Sequence, residues 1–253
     1  MTRFPVFSPL WILLLLLLPG ATVQEMPVRQ LKLSAGFHID GLHRGGQNGF
    51  EEILIYGYGD CIAYALPVSY LAGHDSSLML RADSYNYLVH RKGQQTGWYY
   101  PSFDSRRRRV KVAAVLEDRA IKNINMVVYF EPSDTLIQQE DSVRGYELLH
   151  RYWRKEKPDE YYNDFMDLYF SGKLAGYDFY SLGPSIERVV GRRIAKAVLT
   201  YKPYHSPANK GFVAEKMFWM ELRPVPELFP AGIDGFVRKA AGQLPRPETL
   251  SIK

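Results

Sequence analysis

Apolar positions along this chain fall into three regimes. The first is an unbroken apolar run at residues 10–18, preceded by Arg3 and broken by Pro19-Gly20-Ala21. From residue 28 to about 131, strand-length runs rich in β-branched or aromatic residues occupy 52–56, 61–66, 77–81, 85–90 and 125–130, separated by Gly, Asp and Ser. They predict an antiparallel meander, with 92–97 as a hairpin loop between 85–91 and 98–100, because Gly93 and Gly97 tolerate the backbone of tight turns. From about residue 139 the period becomes helical. Val143, Tyr146, Leu149, Tyr152 and Trp153 fall on one face, with Asp141 or Ser142 as cap and Pro158 as stop. A second helix is expected over 159–170, ended by Gly172. A third is expected over 185–201, apolar along Ile186, Val189, Val190, Ile194, Ala197, Val198 and Tyr201. Its opposite side carries Arg188, Arg192, Arg193 and Lys196. Residues 212–223 return to strand texture, and Pro224, Pro226 and Pro230 punctuate a tail with a short helix near 233–241. The expected class is therefore α+β: an antiparallel β-meander in the N-terminal half of the mature chain, covered by three to four helices from the C-terminal half.

The first apolar run changes how all the rest is read. A basic residue, a short apolar stretch and a small-residue breaker form the anatomy of a secretory signal peptide, expected over 1–23 with cleavage between 21 and 25. A nine-residue run is too short to cross a hydrocarbon core of about 30 Å as a helix. Residues 24–253 then form a single exported domain, large enough to bury a core of its own, with no later transmembrane span. Cys61 is the only cysteine, so no intrachain disulfide exists, and no Asn-x-Ser/Thr acceptor occurs. Cysteine poverty in an exported chain points to the bacterial periplasm or a bacterial secreted protein. Loss of Arg3 with the leader lowers the formal charge of +5 by one, a mild excess that does not call for nucleic acid.

Cys61 is the sharpest chemical candidate. Its setting, Gly57-Tyr58-Gly59-Asp60-Cys61-Ile62-Ala63-Tyr64-Ala65, resembles the nucleophile run of transglutaminase-like and papain-like cysteine enzymes. That resemblance implies a Cys61 thiolate at a helix N-terminus, His90 as base and Asp104 as its orienting carboxylate, in a cysteine hydrolase or acyl transferase acting on envelope peptides or proteins. The same run also scans as two strands joined by a Gly-rich turn, and Pro67 interrupts any helix begun at Cys61. His38, Asp40 and His43 have donor types that suit zinc, but they converge only if the chain turns at Gly41. No phosphate loop, nucleophile elbow or zinc-protease motif is present, so neither a metal nor a cofactor is expected.

Two surface signals remain. Arg106, Arg107, Arg108 and Arg109 form a dense cationic run, and with the Arg188, Arg192, Arg193 and Lys196 face they could meet an anionic partner, provided the fold makes them neighbours. Aromatic residues make up 14% of the chain, 18 of them tyrosines, and flat rings with polar tips suit binding surfaces. Together these favour a non-enzymatic, accessory or immunity-type interaction protein of the bacterial envelope. Its expected partner is another envelope protein or an anionic envelope component.

Overall fold

The computed structural model describes residues 26–40, 47–68, 84–118, 128, 130–157, 162–205 and 211–245. The expected signal peptide, His43, the strand at 77–81 and most of that at 125–130 lie outside the described residues. The first run of strands is β1 (Arg29–Ile39), β2 (Gln47–Tyr58), β3 (Cys61–Pro67), β4 (Tyr85–Arg91), β5 (Thr96–Tyr100) and β6 (Arg108–Lys111). Helix α1 (Val112–Asp118) follows, then β7 (Asp134–Asp141), β8 (Leu148–Arg154) and β9 (Phe165–Phe170). Helix α2 (Pro184–Val190), β10 (Ile194–Tyr201), the short β11 (Tyr204–His205) and β12 (Phe212–Val213), β13 (Lys216–Val225) and helix α3 (Ile233–Gln243) complete the order. Eleven strands form one sheet in the order β6-β5-β4-β3-β2-β1-β13-β10-β9-β8-β7, and every neighbouring pair is antiparallel.

This corrects the expected class. A large antiparallel sheet with three short helices among the described residues, 15% helical, replaces a meander roofed by C-terminal helices. The segments read as helices at 143–157, 159–170 and 185–201 contain β8, β9 and β10. In β9 and at the start of β8 the cause is burial on both faces. In β8, Leu148, His150, Tyr152 and Arg154 face one side and Leu149 the other, yet all are under 9% exposed. Two-sided burial erases the alternation that marks a strand, and an incidental i, i+3 spacing then imitates a helix. Gly191 takes a left-handed φ of 71° and ends α2 after Val190, which leaves Val189, expected on the apolar side, 78% exposed. The strands at 52–56, 61–66 and 85–90, the hairpin at 92–97 and the tail helix are present as expected.

Side-chain alternation divides the core into two. On the inner face Leu31, Leu33, Ile53, Ile55, Leu88, Met166, Leu168 and Leu222 join α1, α2 and the segment between β9 and α2 through Leu116, Ile186, Leu174 and Leu182. Phe179 in that segment lies where any Gly57 side chain would sit, and the Tyr180 ring meets the edge of Tyr64 at 6.4 Å. On the outer face α3 packs its Ile233, Phe236, Val237, Ala240 and Ala241 stripe on Leu54, Tyr56, Cys61, Ala63, Tyr87, Val89 and Tyr100. The small residues Cys61, Ala63 and Ala65 of β3 let this helix approach closely. The helix therefore covers only the β2-to-β5 side of the outer face. Towards β13, β10, β9 and β8 that face carries a different kind of surface.

Candidate functional site: an aromatic outer face and a cationic corner

The proposed thiol–imidazole pair is not assembled. Cys61 points to the outer face beneath α3 and is fully buried, whereas His90 points to the inner face, stacked on Tyr64 at 5.8 Å. Strand register explains this, since Ile62, not Cys61, is paired with His90. Cys61 opens a strand rather than a helix, and burial pushes its thiol up to about 12 despite the nearby Arg91. Asp104 sits in the loop between β5 and β6, on the surface. Native protein is accordingly expected to resist iodoacetamide at pH 8 and to react in denaturant, and stoichiometric labelling of the folded chain would contradict the burial.

The two basic clusters also occupy separate places. Arg106 and Arg107 lie in the β5–β6 loop, Arg108 and Arg109 on edge strand β6, and six strands stand between β6 and β10 in the sheet order. Arg107 and Arg108 lie over the Trp98 and Tyr99 rings at 4.5 and 4.6 Å, and Arg109 donates to Thr96 Oγ1 at 3.5 Å. Because β10 is a strand, the expected basic helix face does not exist. Arg188 is on α2, and Arg193 pairs with Glu187 and Asp178 at 2.8 Å each. Arg188 and Arg192 are exposed beside a cavity that Arg193, Glu147 and Glu187 also line. Lys196 alone belongs to the open outer face.

That face can be built row by row from the register. Glu52, Ser34, Glu221, Lys196, Tyr169 and Leu149 are successive cross-strand partners, and Gly36, Trp219, Val198, Asp167 and Arg151 form the next row. The Trp219 ring lies on Gly36, where an added Cβ would stand 2.6 Å from the indole, so the flat packing requires glycine. The Lys196 ammonium lies 5.8 Å from the centre of the Tyr169 ring and 6.0 Å from that of Trp219, and Tyr146 closes on Tyr169 at 5.0 Å. The Tyr146 hydroxyl donates to Glu221 Oε1 at 2.7 Å, as does Arg223 Nε at 2.7 Å. Burial alone would push the Glu221 carboxyl up. The Arg223 and Tyr146 bonds outweigh it and hold the carboxyl below its ordinary value. Arg151 grips Asp167 through two bonds of 2.7 and 2.6 Å. Beyond them Trp153 stands 40% exposed, opposite Phe165.

The cationic corner is a cavity of about 330 Å³ between α3 and the β5–β6 loop. Its floor is aromatic: Phe103 stacks on Phe236 at 4.8 Å and Tyr100 meets Phe236 edge-on at 5.1 Å. Arg106, Arg107 and Lys239 line its wall. Burial raises the pKa of the Tyr100 hydroxyl, and the adjacent Arg107 opposes that rise without forming a well-aligned hydrogen bond to it.

Two imidazoles report on the core. His90 Nδ1 donates to the Arg91 carbonyl at 2.8 Å, while His150 Nδ1 meets Tyr152 Oη at 3.0 Å. Neither Nε2 has a hydrogen-bond partner, and burial lowers both pKa values below the ordinary 6.5. The unfolded chain thus binds more protons than the folded one just below pH 6.5, so this part of the stability falls as pH drops through that window. A thermal midpoint lower at pH 5 than at pH 7, with a smaller difference in His150→Gln, is the expected result. An unchanged pH slope in the variant would remove His150 as a cause. His38 Nε2 lies 2.8 Å from Asp40 Oδ1, and no group of three or more potential metal ligands forms among the described residues.

Sequence reasoning passed over Trp219, Gly36, Phe236 and Lys239. Alternation in β13, with Trp219 and Glu221 outward and Phe218, Met220 and Leu222 inward, was the available signal for the first of these. No family model matches the chain, and no curated protein matches it. Among solved structures it is similar to a LolA superfamily protein from Nitrosomonas europaea, at 9% identity over 82% of this chain and 90% of that one, TM-score 0.27. It is also similar to a structure described as an outer membrane lipoprotein-sorting protein domain from Vibrio parahaemolyticus, at 10% identity over 83% and 92%, TM-score 0.22. Likeness at this distance says nothing of what the present chain binds.

Proposed function

We propose that the protein is a non-enzymatic binding protein of the bacterial cell envelope that docks another envelope protein on the outer face of β13, β10, β9 and β8. The carrying observation is the incomplete cover of that face. Trp219, Lys196, Val198 and Phe165 remain half-buried where α3 does not reach, whereas the same face of β2 to β5 is sealed by the helix. Its composition favours a protein over a polyanion. Cations and carboxylates occur as pairs, Arg151 with Asp167 and Arg223 with Glu221, interleaved with Trp and Tyr, the mixture found in the centres of protein interfaces. Separation of Cys61 from His90 by the thickness of the sheet removes the support for the cysteine-enzyme reading.

A photoreactive side chain at Val198, introduced into the protein in its native envelope, tests this. One discrete adduct is expected, lost when Trp219→Ala is added and retained with a crosslinker-bearing protein carrying Arg109→Gln on the far edge. Absence of an adduct, or adducts indifferent to Trp219, would defeat the proposal.

A further inference from the structure

The cationic corner on the α3 side is a cavity lined by different residues from those of the outer face. From its lining we infer that the cavity between α3 and the β5–β6 loop binds a phosphate monoester carried on an apolar ring or chain. Three observations converge. First, the wall is cationic: Arg106, Arg107 and Lys239 face one carboxylate, Asp104, and neither Arg106 nor Lys239 has an ion-pair partner among the described residues. Second, Arg107 is held in place rather than free, with its guanidinium 4.5 Å over the Trp98 ring and donating to Gln243 Oε1. A planar cation fixed in orientation matches the paired oxygens of a phosphate. Third, the floor is apolar, built from the stacked Phe103 and Phe236 rings with Tyr100 edge-on to Phe236. A bare anion would have no use for the aromatic floor, and a hydrocarbon none for the three cations. Only a ligand combining both satisfies the lining.

Such a group could belong to a soluble ester or to a lipid headgroup, and titration separates the two. Calorimetry with phenyl phosphate, inorganic phosphate and vesicles containing phosphatidic acid is carried out on the protein, on Arg106→Gln/Arg107→Gln, and on Arg188→Gln/Arg192→Gln as a control of equal charge loss. Saturable binding of phenyl phosphate at least about tenfold tighter than inorganic phosphate, weakened about tenfold or more only by the Arg106/Arg107 pair, is the expected result for a soluble ester. Vesicle binding with the same dependence on Arg106 and Arg107 identifies the headgroup as the source instead. Lys239→Gln, at an exposed position of α3, supplies the comparison should the double variant fold poorly, and it too is expected to weaken binding. No binding of any probe, equal affinity for inorganic and phenyl phosphate, or equal loss in the Arg188/Arg192 control overturns the inference. Any of these results leaves the outer-face proposal standing, because none of its residues is altered.

Discussion

Asp134→Ala is expected to destabilise the protein by about 3–5 kcal/mol, far more than a surface ion pair would predict. The Asp134 carboxylate accepts Arg154 Nε at 2.7 Å and a second guanidinium nitrogen at 2.8 Å, and the two side chains are only 2% and 3% exposed. The same carboxylate takes the Glu131 backbone N–H at 2.8 Å, so it also fixes the turn that leads into β7. Removing it takes a two-bond carboxylate partner from a guanidinium that is permanently charged and buried. The pair itself need not be stabilising. Asp134→Leu/Arg154→Met, which removes both charges, should therefore cost markedly less than Asp134→Ala in urea unfolding. Equal losses in the two variants would show that the penalty is not the unpaired charge.

Phe236→Ala should fall in a similar range, about 3–5 kcal/mol, through a different mechanism. Phe236 is 7% exposed and its ring centre lies within 5.1 Å of those of Tyr87, Tyr100 and Phe103. It is the aromatic contact between α3 and the β5–β6 loop, beside the Arg107–Gln243 hydrogen bond, so the cavity left behind opens on two elements at once. Val189→Ala on α2, exposed at 78%, serves as the contrast and should change stability by less than about 0.5 kcal/mol. A Phe236→Ala loss near that of Val189→Ala in the same denaturant series would mean that the aromatic cluster carries little of the outer core.

How much could be read in advance depended on whether a strand had one wet side. Residues 52–56 and 61–66 were legible because Gly57, Gly59 and Asp60 punctuate them into a tight β2–β3 hairpin. β8 and β10 were not, because Leu149 and Val198 place apolar residues on the outer side as well, and the helical period fitted Tyr146, Leu149 and Tyr152 as well as the true one. Gly191 followed by two arginines was a stop signal that the continuing apolar residues masked. The candidate sites were legible only as residue types. Arg106 and Arg107 do line a cavity, but Phe236 and Lys239, which complete it, come from more than 125 positions further along the chain. Cys61 and His90 could be separated only by register, since adjacent positions on paired strands differ by the face they present.

The place of β13 in the sheet also governs when the fold can exist. Among the described residues it is the last strand in chain order, yet it lies between β1 and β10, with Val225 paired to Gln30 and Met220 to Ala197. Until it is available, the strands on either side of that seam can form only two incomplete sheets, each ending in an unpaired strand. Closing a loop between residues 30 and 225 is entropically slow, so assembly should be late and highly non-local. A chain cut before Lys216 would not be a smaller version of this protein. It would present β1 and β10 as open templates for the wrong partner, and a holding chaperone on the nascent chain would be protecting those two strands.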